Sequence, residues 1–274
     1  MTGRAHAPQP NVSTVLVEAC VDSVASSQAA ERAGAGRLEL CDALFDGGTT
    51  PSAGMIAACR EAVAIPLFVI IRPRGGGFVY SDAELDVMRR DIVAARGLGA
   101  DGVVIGPLRG DGTIHDSQTR ALVDVAGDLA VTFHRAFDFV PNLAAGLETL
   151  MAAGVRRVLS SGGAPTAREG AATLASLVRQ AGARLTVMAG GSVREDHVRD
   201  LVDATGVREV HVRLTRPTRG DGPPMRPGVR VRKTLPDDEA AWDETDESRM
   251  RSFVRAVGRV AGDGTGSGRP SSVR

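Results

Sequence analysis

The chain has 274 residues, of which 43% are hydrophobic, and its 33 basic residues balance 33 acidic ones. A net charge of zero argues against a protein that binds nucleic acid or anionic membranes through bulk charge. No apolar run is long enough to span a bilayer and no signal-peptide core is present, which predicts a cytoplasmic protein with no membrane partner. In that compartment the three cysteines (Cys20, Cys41 and Cys59) are expected as free thiols.

Apolar runs alternate with helical patterns along most of the chain, after a polar start at residues 1–13 that is expected to be disordered. The predicted strands are Thr14–Cys20, Arg37–Asp42, Pro66–Pro73, Gly102–Gly106, Leu129–Asp138, Arg157–Ser161, Leu185–Ala189 and Glu209–Leu214. The helices predicted between them are Val21–Gly34, Ser52–Val63, Asp82–Leu98, Asp116–Ala126, Pro141–Ala153, Thr166–Ala181 and Arg194–Ala204. Ser81 and Glu84 have capping-box spacing, which places one helix start well.

Eight strands that alternate with helices predict a single-domain (β/α)8 TIM barrel spanning residues 14–261. A doubly wound open sheet is the alternative, but eight regular units without a topological break favour closure. Beyond the eighth strand, residues 215–247 are longer than a normal loop and are expected to extend over the barrel or a neighbour. A closing helix is predicted over Glu247–Ala261, and residues 262–274 are expected to form a disordered tail.

The stretch Leu129–Asp138 changes character along its length. It begins as an apolar, β-branched run and ends in His134, Arg135 and Asp138. Burying unpaired charge is unfavourable, so ionisable residues at the end of a buried strand need an explanation. In parallel α/β folds, functional residues gather at the carboxyl ends of the strands.

Other strand ends carry the same kind of residue. Residues two apart in a strand share a face, which pairs Glu18 with Cys20, Glu39 with Cys41, and Arg72 with Arg74. If that face is the lumen, the barrel mouth holds carboxylates, thiols, guanidiniums and the imidazole of His134. Two structural alternatives stay open. Glutamate–arginine pairs can plug the top of the barrel, and free cysteines are often small buried hydrophobes.

Two glycine-containing turns suggest anion binding. Ser161 and Gly162 follow the sixth strand, and Gly190, Gly191 and Ser192 follow the seventh, just before a predicted helix. Phosphate sites in these barrels favour such loops, although glycines also serve tight turns. Five aromatic residues just beyond strand ends are expected to wall a small-ligand pocket: Phe45, Phe78, Tyr80, Phe137 and Phe139.

Several motifs together resemble the CutC copper-homeostasis family, from about Val15 to His211. They are VEACVDS, RLELCD, GGTTPS, IRPRGGGFVYSD, VTFHRAFD, SSGG, MAGGSV and EVH, in this order. The resemblance implies a (β/α)8 barrel in the cytoplasm, a homo-oligomer, and a role in copper homeostasis. It also implies Cu(I) binding by cysteines at the positions of Cys20 and Cys41. The C-terminal segment departs most from the family pattern, so the resemblance says least about assembly.

Two hypotheses of different kinds follow. The first is a Cu(I)-binding protein with Cys20 and Cys41 as soft thiolate ligands. The second is an enzyme that acts on a small anionic metabolite, phosphorylated or not. In the second, the acid–base candidates are Glu18, Glu39, His134 and Asp138. Its ligand-binding candidates are Arg72, Arg74, Ser161, Gly162, Gly190, Gly191, Ser192 and His211. The resemblance favours copper, whereas the polar mouth holds more groups than two-coordinate copper requires.

Overall fold

Eight parallel strands close into a barrel in the computed structural model, which describes residues 15–222, 226, 229 and 239–258. Each strand pairs with the next along the chain, and the eighth pairs with the first. The strands are β1 Leu16–Val21, β2 Arg37–Leu40, β3 Leu67–Ile70, β4 Gly102–Ile105, β5 Ala130–Phe133, β6 Arg157–Ser160, β7 Thr186–Ala189 and β8 Glu209–Val212. The predicted (β/α)8 barrel is therefore confirmed, and the open sheet is excluded. The segments 1–13 and 262–274 lie outside the described residues.

Helices cover the outside of the barrel. They are α1 Val24–Arg32, α2 Ala53–Ala62, α3 Asp82–Gly97, α4 Asp116–Ala126, α5 Leu143–Ala152, α6 Ala171–Ala181, α7 Val198–Thr205 and α8 Glu247–Gly258. The capping box at α3 is confirmed, because Ser81 Oγ accepts a hydrogen bond from the Glu84 amide and the Glu84 carboxylate accepts one from the Ser81 amide. Within the described residues, no helix combines the length and apolar character needed to cross a bilayer.

The apolar residues fall into two clusters on opposite faces of the strands. The large one lies between strands and helices and includes Val17, Ala19 and Val21 of β1. The small one lies on the lumen face, and its buried members are Cys20, Cys41, Phe68, Ile70 and Val104. Because side chains alternate along β1, Glu18 shares the lumen face with Cys20, as the sequence predicts. The lumen is thus only partly filled by apolar groups.

Three element ends differ from the prediction. β5 stops at Phe133, and Arg135–Phe139 forms a 3-10 turn, because the side chain of His134 caps it by accepting the Ala136 amide. β3 stops at Ile70, so Arg72 and Arg74 follow the strand in a loop. α7 begins at Val198 rather than at Arg194, so the glycine turn after β7 is not followed directly by a helix.

The segment after β8 folds back on itself where it is described. Strands β9 (Thr215–Arg219) and β10 (Ala241–Thr245) pair as an antiparallel hairpin. The hairpin packs on α1, where the Thr245 amide donates to Ser26 Oγ at 3.0 Å. Residues 223–225, 227–228 and 230–238 of the predicted extended segment lie outside the described residues.

Candidate functional site

The strand register brings the polar residues of β1, β2 and β8 together. Glu18 lies opposite Arg37 of β2 on one side and His211 of β8 on the other. Cys20, two residues further along β1, lies opposite Glu39. All are on the lumen face of adjacent strands, so their side chains converge inside one end of the barrel.

Two thiols meet at this end. The Sγ atoms of Cys20 and Cys41 are 3.9 Å apart, and both side chains are buried. The hydrogen bond from Cys41 lowers the pKa of Cys20 to about 5, and the same hydrogen bond raises the pKa of Cys41 well above its usual value. One thiol therefore stabilises the other as a thiolate. Cys59 is also free and buried, but it lies on α2 and contacts Ser27.

His211 stands beside the thiols between two carboxylates. Its Nδ1 is 2.8 Å from Glu18 Oε1, and its Nε2 is 3.7 Å from Glu39 Oε2. Burial alone would lower the pKa of His211, but the charge of Glu39 raises it well above its usual value. Burial raises the pKa of Glu39 to about 8. Ligand atoms of Cys20, Glu39 and His211 lie within 4.8 Å of one another, which is close enough for one metal ion.

A layer of paired charges lies deeper in the lumen; we call its members Glu18, Arg37, Arg157 and Glu209 the charged layer. Arg37 Nε is 2.5 Å from Glu18, and both arginines are 2.5 Å from Glu209. Both guanidinium groups also lie over the ring of Phe68, at 5.0 and 5.3 Å. Burial would raise the pKa of Glu18, but the hydrogen bond from His211 and the charge of Arg37 lower it to about 2.

The charged layer supports the alternative that Glu18 has a structural role in a glutamate–arginine network. Its partners and its depth in the barrel differ from those expected from the sequence. Arg37, Arg157 and Glu209 are the first residues of their strands, so the layer lies below the thiols and not at the top of the barrel. Sequence reasoning missed these three residues. The period-two rule could have found two of them, because Arg37 precedes Glu39 by two positions and Glu209 precedes His211 by two.

Arg72 and Arg74 do not point the same way, contrary to expectation. Arg72 is buried and donates to backbone carbonyl groups of the loops after β2 and β3, while its guanidinium lies 5.3 Å from the centre of the Phe78 ring. The side chain of Arg74 is 43% exposed and pairs with Glu84 at the start of α3. The alternation of side chains holds only within a strand, and β3 ends at Ile70 before either arginine.

His134 is buried against Gly106 of the neighbouring loop. A Cβ atom on Gly106 would come within 1.9 Å of the imidazole, so only glycine leaves room for this ring. His134 Nδ1 accepts the Ala136 amide, so the neutral ring carries its proton on Nε2. Burial, together with the charge of Arg72, lowers the pKa of His134 to about 3. Nε2 has no hydrogen-bond partner among the described residues.

Asp138 organises the loop after β6. Its carboxylate accepts hydrogen bonds from the Ser160 hydroxyl, the Ser161 amide and hydroxyl, and the Gly163 amide. It also pairs with Arg135 Nε at 2.9 Å. The carboxylate is thus occupied by this loop and does not line the space at the barrel mouth.

The two glycine turns lie beside Arg135. Arg135 Nη2 donates to Ser161 Oγ at 2.8 Å, and a Cβ atom on Gly191 would lie 3.3 Å from the Arg135 guanidinium carbon. Gly191 and Ser192 both have positive φ, at 101° and 56°. Two other glycines serve packing: a Cβ on Gly162 would meet a backbone oxygen at 2.4 Å, and one on Gly190 would meet a leucine side chain at 2.5 Å.

A cavity of about 140 Å³ opens at the mouth between two chemically different walls. One, which we call the thiol wall, consists of Cys20, Glu39, Cys41 and His211. The other, which we call the N–H wall, consists of Arg72, His134 and Arg135. Of the five aromatic residues expected around a pocket, Phe78 lines this cavity and Phe45 lines a separate groove. The remaining sequence candidates do not line it: Glu18, Arg74, Asp138, Ser161, Gly162, Gly190, Gly191 and Ser192.

Comparison with known proteins agrees with the motifs. The model of the CutC family matches residues 15–215. A copper homeostasis protein cutC homolog of Mus musculus is 44% identical over 87% of this chain and 88% of its own. A family protein CutC of Chromobacterium violaceum is 46% identical over 89% and 99%. A crystal structure of CutC from Streptococcus agalactiae superposes with a TM-score of 0.69 at 34% identity, covering 72% of this chain and 97% of that one.

Proposed function

The chain belongs to the CutC family, and on that premise we propose that it binds Cu(I) at the barrel mouth through Cys20 and Cys41. The observation that carries the proposal is the approach of the two Sγ atoms to 3.9 Å inside a cavity. Thiolates are soft ligands that suit Cu(I). The lowered pKa of Cys20 supplies one thiolate before any metal arrives.

His211 is the third donor of the proposed site once Nε2 has lost its proton, which the metal must displace because the pKa of the imidazole is raised. A metal-binding histidine usually donates a hydrogen bond from its other ring nitrogen to a carboxylate, and this bond orients the ring. The contact of His211 Nδ1 with Glu18 fits this pattern and leaves Nε2 on the side of Glu39 and the thiols. Arg37 fixes Glu18 in turn, so the charged layer acts as the support of the site.

Copper homeostasis is the role that the names of the relatives indicate, and we propose it for this chain on the strength of family membership. A cytoplasmic location and a homo-oligomeric assembly stay predictions.

A Cu(I) titration in competition with a chelator tests the proposal. We expect the variant Cys20→Ser/Cys41→Ser to lose nearly all affinity, and Cys59→Ser, whose thiol lies on α2, to keep it. Cys59→Ser is a matched control because it also removes a buried thiol. Equal binding by all three proteins would mean adventitious thiol chemistry and would defeat the proposal.

A second candidate function is acid–base catalysis on a small anionic metabolite. It is favoured by two groups that line the same cavity. His134 presents a neutral ring with a proton on Nε2, and burial raises the pKa of Glu39 to about 8, close to neutral pH. Incubation with small phosphate esters and hydroxy acids, followed by NMR, tests for turnover. Turnover that persists in Glu39→Gln and in His134→Asn would rule out both groups as the catalysts.

A further inference from the structure

The N–H wall contains two buried donors without partners. Arg72 Nε and His134 Nε2 have no hydrogen-bond partner among the described residues, and the two residues are only 4% and 6% exposed. The buried Tyr80 hydroxyl, which also lacks a partner among them, lies near the Arg72 guanidinium. A buried donor that finds no acceptor loses the hydrogen bond it would make to water. Such groups are rare in folded proteins, and an acceptor bound in the cavity, a water or a ligand, would satisfy them.

Arg135 adds a third donor on the open side of the same wall. Arg135 Nε donates to Asp138 Oδ2 at 2.9 Å and Arg135 Nη2 donates to Ser161 Oγ at 2.8 Å, so the guanidinium is fixed in place. Its side chain is nevertheless 43% exposed, and Nη1 donates no hydrogen bond within the described part of the chain. A guanidinium held by two partners, with a free edge, is prepared for a ligand with little further loss of side-chain entropy.

The charges around the N–H wall favour an anion. Arg72 is bonded to backbone carbonyl groups, so no carboxylate neutralises it through a hydrogen bond, and the ion pair of Arg135 with Asp138 uses Nε and leaves Nη1 available. The imidazole of His134 offers a donor without adding charge. A ligand that accepts several hydrogen bonds and carries negative charge would satisfy all three groups.

We propose that the N–H wall binds a compact oxyanion, a carboxylate or a phosphate, through Arg72, His134 and Arg135. The cavity of about 140 Å³ limits the ligand. A cavity of this size suits a small group such as phosphate or a short hydroxy acid. Any longer group must leave past Arg135, the exposed member of the wall.

An oxyanion at the N–H wall would be the substrate class of the second candidate function. Only the claim that the bound anion is turned over rests on that function. Binding of the anion requires neither turnover nor copper. Failure of one idea can therefore be told from failure of the others, provided that binding is measured on metal-free protein without any assay of activity.

The test uses the full chain, metal-free and reduced, in thermal melts and isothermal calorimetry with sodium phosphate, sodium glycolate and sodium chloride of matched ionic strength. A ligand that binds only the folded state raises its melting temperature. We expect a saturable rise with phosphate or glycolate and none with chloride; whichever of the two binds identifies the head group. Removing one charge-assisted hydrogen bond in Arg135→Gln should weaken binding about 10- to 100-fold.

Arg90→Gln is the matched control, because it removes an exposed arginine of α3 that pairs only with Asp86 across one helical turn. Its affinity should stay within about two-fold of the wild type. Because Arg135→Gln also loosens the contacts to Asp138 and Ser161, a second measurement follows the 15N signal of His134 Nε2 in the wild type, which should shift on titration. Phosphate and glycolate that bind no better than chloride, or bind Arg135→Gln as well as the wild type, would overturn the inference.

Discussion

The charged layer and the mouth cavity are neighbouring regions of one lumen, but they treat polar groups differently. In the charged layer, each carboxylate meets a guanidinium, and the arginines also cover Phe68. In the cavity, two thiols lie 3.9 Å apart, and donors of Arg72 and His134 have no partner among the described residues. The charged layer therefore satisfies its own polar groups, whereas the cavity leaves donors available to a ligand. Within the barrel, the region of paired charges thus has a structural role, and the region with unpaired groups is the candidate binding site.

The largest effect is expected from breaking the charged layer. Arg37→Met removes the shared partner of Glu18 and Glu209 and leaves each buried carboxylate with one partner fewer, His211 for Glu18 and Arg157 for Glu209. Losing one member of a buried ion network costs about 3–5 kcal/mol of unfolding free energy. Urea denaturation measures this loss, and Arg90→Met, on the exposed face of α3, should change stability by less than about 1 kcal/mol. A similar stability for both variants would mean that the layer is not the support we describe.

An intermediate effect is expected at the N–H wall from Gly106→Ala. The new methyl group would overlap the His134 ring, so the ring must move, at a cost of about 1–3 kcal/mol for overpacking. The control is Gly97→Ala at the end of α3, where a Cβ atom meets nothing within 4 Å. That change should be neutral or stabilising by up to about 1 kcal/mol, because alanine favours helix more than glycine does. Thermal melts of both variants decide the point.

The smallest effect is a dependence of stability on pH that comes from His134. The pKa of the folded state, about 3, is below the unfolded value, so His134 contributes stability fully above about pH 6.5 and loses it as the pH falls. Below about pH 6.5 the imidazole of His134 binds a proton in the unfolded chain, whereas the buried ring of the folded protein stays neutral. The loss is at most about 1.4 kcal/mol per pH unit below that point.

His211 opposes this trend, because its raised pKa contributes stability that is fully present at low pH and is lost as the pH rises. The comparison is therefore made with His134→Asn, whose side-chain oxygen can still accept the Ala136 amide but does not titrate. Denaturant unfolding between pH 7 and about pH 5 should show a steeper loss in the wild type than in the variant. Parallel curves would mean that His134 is accessible to protons in the folded state.

The sequence by itself determined the architecture and the contents of one wall. Alternating strands and helices predict the barrel, and the period of two places Glu18 and Cys20 on one face and Glu39 and Cys41 on another strand's equivalent face. These features depend on backbone geometry over a few residues, which is why they can be read without coordinates.

The tertiary structure alone decided which polar groups pair. The register puts Cys20 opposite Glu39, yet the side chains bring its sulfur to Cys41, a result that depends on barrel closure. Because β3 ends at Ile70, the side chains of Arg72 and Arg74 point in different directions. The 3-10 turn after β5 places the Asp138 carboxylate against the loop after β6, where it accepts the Ser161 amide. These outcomes depend on contacts between residues far apart in the chain, whose relative positions are set only when eight strands close together.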